Sequence, residues 1–168
     1  ARRRRQLMRR AGDDSIIILQ AAPARIRNND AHYAYRQDSD FLYLTGFREH
    51  DALLVMIPDG DTGRSILFCR ERDPTREMWD GRMVGLKEAV GAYGMDEAHD
   101  IKEMESLLRD MLPDRERIYH DLGRDPMFDQ RLIGWLNEFR GTSRKTFHAP
   151  EEIHALHDML HDMRVYKS

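Results

Sequence analysis

A chain of 168 residues is long enough for one domain with a substantial core and short for two. Its 34% charged and 40% hydrophobic residues describe a soluble globular protein, and a net charge of −3 gives no global reason to expect nucleic acid. No apolar run approaches a membrane span, no secretion signal is visible, and a single cysteine, Cys69, excludes an internal disulfide and fits a reducing compartment.

Residues 1 to 10 carry six arginines. As a helix they place Leu7 and Met8 on one face with arginines around the rest. A solvated first helix is expected rather than a nucleic-acid arm, because no aromatic residue is interleaved to stack on bases. Ser15 to Gln20 is short, apolar and β-branched, which predicts a buried strand. Residues 21 to 30 follow as a loop ending in Asn28-Asn29-Asp30. Loops that leave buried strands often carry binding residues.

Residues 31 to 47 are the centre of the chain. Tyr33, Tyr35, Phe41, Tyr43 and Phe47 surround Arg36, Gln37, Asp38, Ser39 and Asp40. Such a density of aromatics predicts a segment running under or into the core. Phe41 to Thr45 has strand character, Gly46 offers a tight turn, and Asp38-Ser39-Asp40 predicts an irregular turn before it. Arg36 and Asp40 are expected to form a buried structural pair.

Ala52 to Ile57 predicts a second buried strand and Ser65 to Cys69 a third. The turn-rich Pro58 to Gly63 between them makes a hairpin. Cys69, inside a strand, is expected to be a buried, inert thiol. Residues 70 to 85 read as a long charged surface segment with a short helical turn after Pro74.

The second half is helical in pattern. Asp100 with Glu103 suits a capping box, Ile101, Met104, Leu107, Leu108 and Met111 recur at helical spacing, and Pro113 ends the helix. Ile118 to His120 suggests one more strand. Asp125-Pro126 opens a helix with Phe128, Leu132, Trp135, Leu136 and Phe139 on one face and Gly141 at its end. A last helix is expected from about Pro150, with Ile153, Leu156, Leu160 and Met163 facing the core. The pattern predicts an α/β fold: a single domain with a mixed β-sheet flanked by helices, in a strand order that periodicity does not reveal.

These residues display no catalytic constellation. His154, His157, Asp158 and His161 fall at i, i+3, i+4 and i+7, so two of them could grip a transition metal. No matching ligand cluster and no H-E-x-x-H motif accompany them, so a solvated face with only adventitious metal binding is expected. There is no G-x-S-x-G elbow and no phosphate-binding loop. The expected lists of catalytic residues and of metal ligands are both empty.

The stretch YAYRQDSDFLYLTGF, residues 33–47, resembles the signature of the N-terminal domain of the aminopeptidase P family, the Xaa-Pro aminopeptidases, whose relatives include creatinase and prolidase. The likeness extends through ALLVMIPDG, ILFCRERDPTREMWDGRMVG and the final HDMRVYKS, in that order. Leu42 stands where an aromatic is often seen and Asp38 where an asparagine is. The resemblance implies the same mixed sheet flanked by helices over residues 1–168. It also implies a separate C-terminal catalytic domain of the pita-bread fold that binds two metal ions, usually manganese, and that is expected to begin where this chain stops. The chain alone is then expected to be inactive and to hold no cofactor. It would narrow access to short peptides with proline second and help assemble a homo-oligomer, a dimer or tetramer, in the cytoplasm, with no membrane or nucleic-acid partner.

Three positions carry a role by the same resemblance. Trp79 matches a tryptophan that reaches a neighbouring subunit's active site. Asp30 matches an acidic residue near the active-site entrance, and Arg144 an arginine near the substrate. From the residues alone, Trp79 reads equally well as an aromatic anchor packed on the sheet, and Asp30 and Arg144 as ordinary surface charge. An alternative from another class is a non-catalytic peptide-binding module of the same fold, as in a related histone chaperone. Two aspartates, a histidine and two glutamates at pita-bread spacing after Ser168 would decide for the enzyme.

Overall fold

Helix α1, Arg2–Ala11, and strand β1, Ser15–Gln20, open the chain in a computed structural model that describes residues 1–28, 31–32, 34–141 and 148–166. β2 (Ile26–Asn28) lies in the span expected as loop and pairs antiparallel with β3 (Ala31–His32), at the start of the stretch 31–47. Then come α2 (Ser39–Thr45), β4 (Leu53–Ile57), β5 (Arg64–Cys69), α3 (Pro74–Asp80), α4 (Gly85–Gly91) and β6 (Glu97–Asp100). A 3-10 turn at Ile101–Glu103 leads into α5 (Met104–Met111), followed by β7 (Arg117–Tyr119), α6 (Pro126–Gly141), β8 (Glu152–His154) and α7 (Leu156–Val165).

The main sheet has the order β6-β5-β4-β1-β7-β8. β4 runs antiparallel to β1 and β5, while β5–β6, β1–β7 and β7–β8 pair in parallel. It follows that β1, β5, β6, β7 and β8 share one direction and send their carboxyl ends to one edge. The loops after β1, β5 and β7 therefore emerge side by side.

Side chains alternate between the two faces of a strand. Ile17, Leu19, Leu54, Met56, Leu67 and Cys69 pack on one face with Leu7, Met8, Phe41, Leu44, Phe47, Leu156 and Leu160. Ile16, Ile18, Leu53, Val55, Ile66 and Phe68 pack on the other with Leu108, Leu112, Phe128, Leu132 and Leu136. The sheet is thus covered on both sides, which is why its central strands read as unbroken apolar runs. Cys69 is buried, and burial pushes its thiol up to about 12, so it is inert at neutral pH.

Several expectations need correction. Phe41 to Thr45 is not a strand: it lies in α2, where the Asp38 carboxylate accepts the Asp40 and Phe41 N–H groups at 3.0 and 2.9 Å and Gly46 ends the helix at φ 73°. Its buried residues Phe41, Leu44 and Thr45 follow helical spacing, and the β-forming character of the segment yields to that burial. Arg36 is exposed and does not pair with Asp40. Asp40 is buried and receives a hydrogen bond from Arg164 on α7 at 2.8 Å, with His157 3.7 Å away.

The last helix begins at Leu156, and Ile153 belongs to β8, facing the other side of the sheet. His154 therefore leaves the histidine face. Asp100 caps the 3-10 turn through the Lys102 N–H at 3.0 Å, but it also ends β6, a strand with no apolar pattern. Arg4 is not solvated like the other arginines of α1. It is 3% exposed and donates to the Leu44 and Gly94 carbonyls at 2.9 and 2.7 Å, closing the ends of other elements.

Candidate functional site at the carboxyl edge of the sheet

The edge where β1, β5 and β7 end is built from polar side chains that knit loops together. Gln37 sits at its centre. Its Oε1 accepts the Ala22 and Asp38 N–H groups, each at 2.9 Å, and its Nε2 donates to the Glu49 carbonyl at 2.9 Å. One amide thereby joins the loop after β1, the start of α2 and the approach to β4. The Tyr35 hydroxyl donates to the Ala22 carbonyl at 2.8 Å, and burial, with Asp51 and Asp38 nearby, pushes it up to about 12. It is a structural donor, not an acid.

Beside this network a cleft of about 560 Å³ opens between the ends of β1 and β7. Gln20 donates to Asp125 at 3.1 Å and Arg124 pairs with Asp38 at 3.1 Å across it. His120 lies beneath, buried, with Nδ1 3.0 Å from the Ile18 carbonyl and Nε2 3.3 Å from Asp129. The charges in the cleft are mixed in sign: Arg124 pairs with Asp38, while Asp121 accepts the His157 N–H through one carboxylate oxygen and keeps the other buried without a partner.

The outstanding feature of the edge is α3. Asp73 caps it by accepting the Thr75 and Arg76 N–H groups at 3.0 and 3.4 Å, and Pro74 occupies its first turn. None of its residues is buried. Met78 is 83% and Trp79 86% exposed, so the indole is not packed on the sheet as an anchor. Displaying two large apolar side chains together is costly unless a partner covers them.

Asp30 and Arg144 lie outside the described residues. Asn28 is the last residue of β2, and the His148 carbonyl accepts the Asp114 N–H at 2.8 Å, just before β7 begins. Arg72, Glu77, Glu49 and Arg70, which hold α3 in place, carried no expectation. The available signal was the Arg-x-Arg spacing that follows β5.

The family described as aminopeptidase P, N-terminal domain, matches residues 1–119. The chain belongs to this family. The Xaa-Pro aminopeptidase of Escherichia coli K12 is 37% identical over 168 residues, 99% of this chain and 38% of that protein. Human Xaa-Pro aminopeptidase 3 is 30% identical over 94% of this chain and 31% of its own length. The structure of Pseudomonas aeruginosa aminopeptidase PepP superposes with a TM-score of 0.91 at 48% identity, over 99% of this chain and 38% of that one. The expected fold, a mixed sheet flanked by helices in one α/β domain, is the one these structures share. The chain spans only about two fifths of the length of these bacterial relatives. Among the described residues, no helix is long and apolar enough to cross a membrane.

Proposed function

We propose that the chain serves as the N-terminal domain of a Xaa-Pro aminopeptidase, an enzyme that releases the first residue of peptides with proline second. The observation that carries this reading is Trp79, an indole displayed on a helix that buries nothing, at the edge where the sheet gathers its loops. In this reading the indole lies against the substrate in a neighbouring subunit's active site and excludes water from it. Asp30 and Arg144 act near the same substrate, and the domain helps hold a dimer or tetramer together in the cytoplasm.

The chemistry belongs to a catalytic domain outside these residues. Two manganese ions there would activate water and polarise the scissile carbonyl. The described residues do not fit such a pair: no group of three or more His, Cys, Asp or Glu could hold a metal ion.

The test uses the full-length protein and a peptide beginning Ala-Pro. Trp79→Ala is expected to lower kcat/KM by about tenfold or more, the rate equivalent of ~1.4 kcal/mol. The 168-residue chain, supplied with manganese, is expected to give no turnover. Turnover by the chain alone that a chelator abolishes, or an unchanged kcat/KM in Trp79→Ala, would overturn the reading. Binding without turnover by the full-length protein would favour the second reading, a peptide-binding module, which the joint display of Met78 and Trp79 also suits.

A further inference from the structure

Arg70 and Arg72 follow β5 at alternate positions, and each meets a glutamate that also grips the backbone beyond α3. Arg72 donates to Glu77 through Nε at 2.8 Å and Nη2 at 3.0 Å, a two-point contact. The Glu77 carboxylate accepts the Met83 N–H as well, at 3.0 Å. Arg70 lies 3.5 Å from Glu49, whose other carboxylate oxygen accepts the Val84 N–H at 2.7 Å. Met83 itself is buried. Two consecutive amides are thus fastened by two carboxylates, each backed by an arginine.

Gly85 makes room for this arrangement. A Cβ there would stand 2.5 Å from Arg72 Cγ, and its φ of 75° favours glycine. On a helix, residues 77 and 79 point about 200° apart. Fastening Glu77 inward therefore turns Trp79 outward.

The geometry points to Arg72 and Glu77 as positioning residues for Trp79: their pair sets the direction of α3, so that the indole reaches its substrate already ordered. This rests on the reading of Trp79 given above. α3 has no core contacts of its own, so its order comes from this clamp and the cap. A pre-ordered arm avoids the ordering cost at each binding event.

Two measurements test the assignment. In the chain, ¹⁵N relaxation reads the backbone order of Arg76, Met78 and Trp79. Order parameters near ~0.85 are expected to fall toward ~0.6 in Glu77→Gln and in Arg72→Ala, with the thermal midpoint retained because no buried side chain is touched. Unchanged order in both variants would overturn the clamp. In the full-length protein, Glu77→Gln is expected to lower kcat/KM by roughly tenfold, within the ~100-fold that a misplaced group can cost. Added to Trp79→Ala it is expected to cost nothing further, since it acts through that indole. Independent, multiplicative losses would overturn the assignment. If Trp79→Ala leaves kcat/KM intact, the reading of Trp79 falls, and the order parameters still decide the clamp.

Discussion

α2 and α3 are two helices of seven residues with the same local grammar and opposite fates. Each starts at an aspartate whose side chain accepts two N–H groups, Asp38 in one and Asp73 in the other. Each ends at a glycine with positive φ, Gly46 and Gly81. Yet α2 buries Asp40, Phe41, Leu44 and Thr45, and α3 buries nothing. The difference lies in what the faces carry. In α2, Phe41, Leu44 and Thr45 recur at helical spacing and make one apolar side. In α3 the residue that faces the body is Glu77, and the apolar residues are adjacent and point away.

Helices this short are not stable alone. α2 is held by burial, and its Asp40 is locked to Arg164. α3 is held by its cap and by the Arg72–Glu77 ion pair, whose arginine end is exposed and screened by solvent. One is a wedge in the core, the other a projecting arm that is easy to loosen. A shared grammar of caps and glycines sets where a helix starts and stops, not whether it is buried.

The comparison can be broken most directly in α2. Phe41→Ala is expected to cost about 3–5 kcal/mol, read as a lowered midpoint in denaturant, because Phe41 is fully buried. A loss below about 1 kcal/mol would show that α2 is not a core element.

The caps give a smaller, paired effect. Asp38→Ala is expected to destabilise by about 1–2 kcal/mol, since it removes the α2 cap and the partner of Arg124. Asp73→Ala is expected to cost about 0.5 kcal/mol or less in global unfolding, because α3 can fray while the core stays folded. Equal losses would mean that α3 unfolds only with the domain.

Trp79→Ala is expected to leave stability within about 0.5 kcal/mol of the parent, as for an exposed position. A loss of several kcal/mol would make Trp79 a packing residue and remove it from the site.

The smallest effect is a dependence on pH. The hydrogen bonds from Arg72, then from the Met83 N–H, hold the Glu77 carboxyl below its ordinary value of 4.5. A depressed carboxyl contributes fully above the ordinary value, and the contribution fades as pH falls through the folded one. Backbone order in α3 is therefore expected to be constant from pH 8 down to about 4.5 and to decline only in stronger acid. A decline already at pH 6 would point to a histidine rather than Glu77.

The sequence by itself determined the parts whose environment is written in local pattern. The unbroken apolar runs of β1, β4 and β5 announce strands covered on both faces, and their hairpin follows from the turn between β4 and β5. Asp125-Pro126 and the spacing of Phe128, Leu132 and Leu136 define α6, which buries those three residues. The exposure of α3 is also consistent with its charge-rich surroundings, but its direction is not legible there.

Tertiary structure decided the rest. β6, with the sequence EAHD, is a strand only because β5 offers it a parallel edge, and β8 owes its place to β7 in the same way. The signature segment, with its aromatic and β-branched Phe41, Tyr43 and Thr45, folds as helix α2 because Phe41, Leu44 and Thr45 meet the core when wound at helical spacing. Asp40 finds its arginine 124 positions away, and Arg4 its carbonyls at 40 and 90. A buried charge needs a partner, and no local rule says which distant one the fold will bring. The clamp on α3 has the same origin: Glu49 and Glu77 are ordinary acids in the sequence, and the fold brings Arg70 and the Val84 N–H to one and Arg72 and the Met83 N–H to the other.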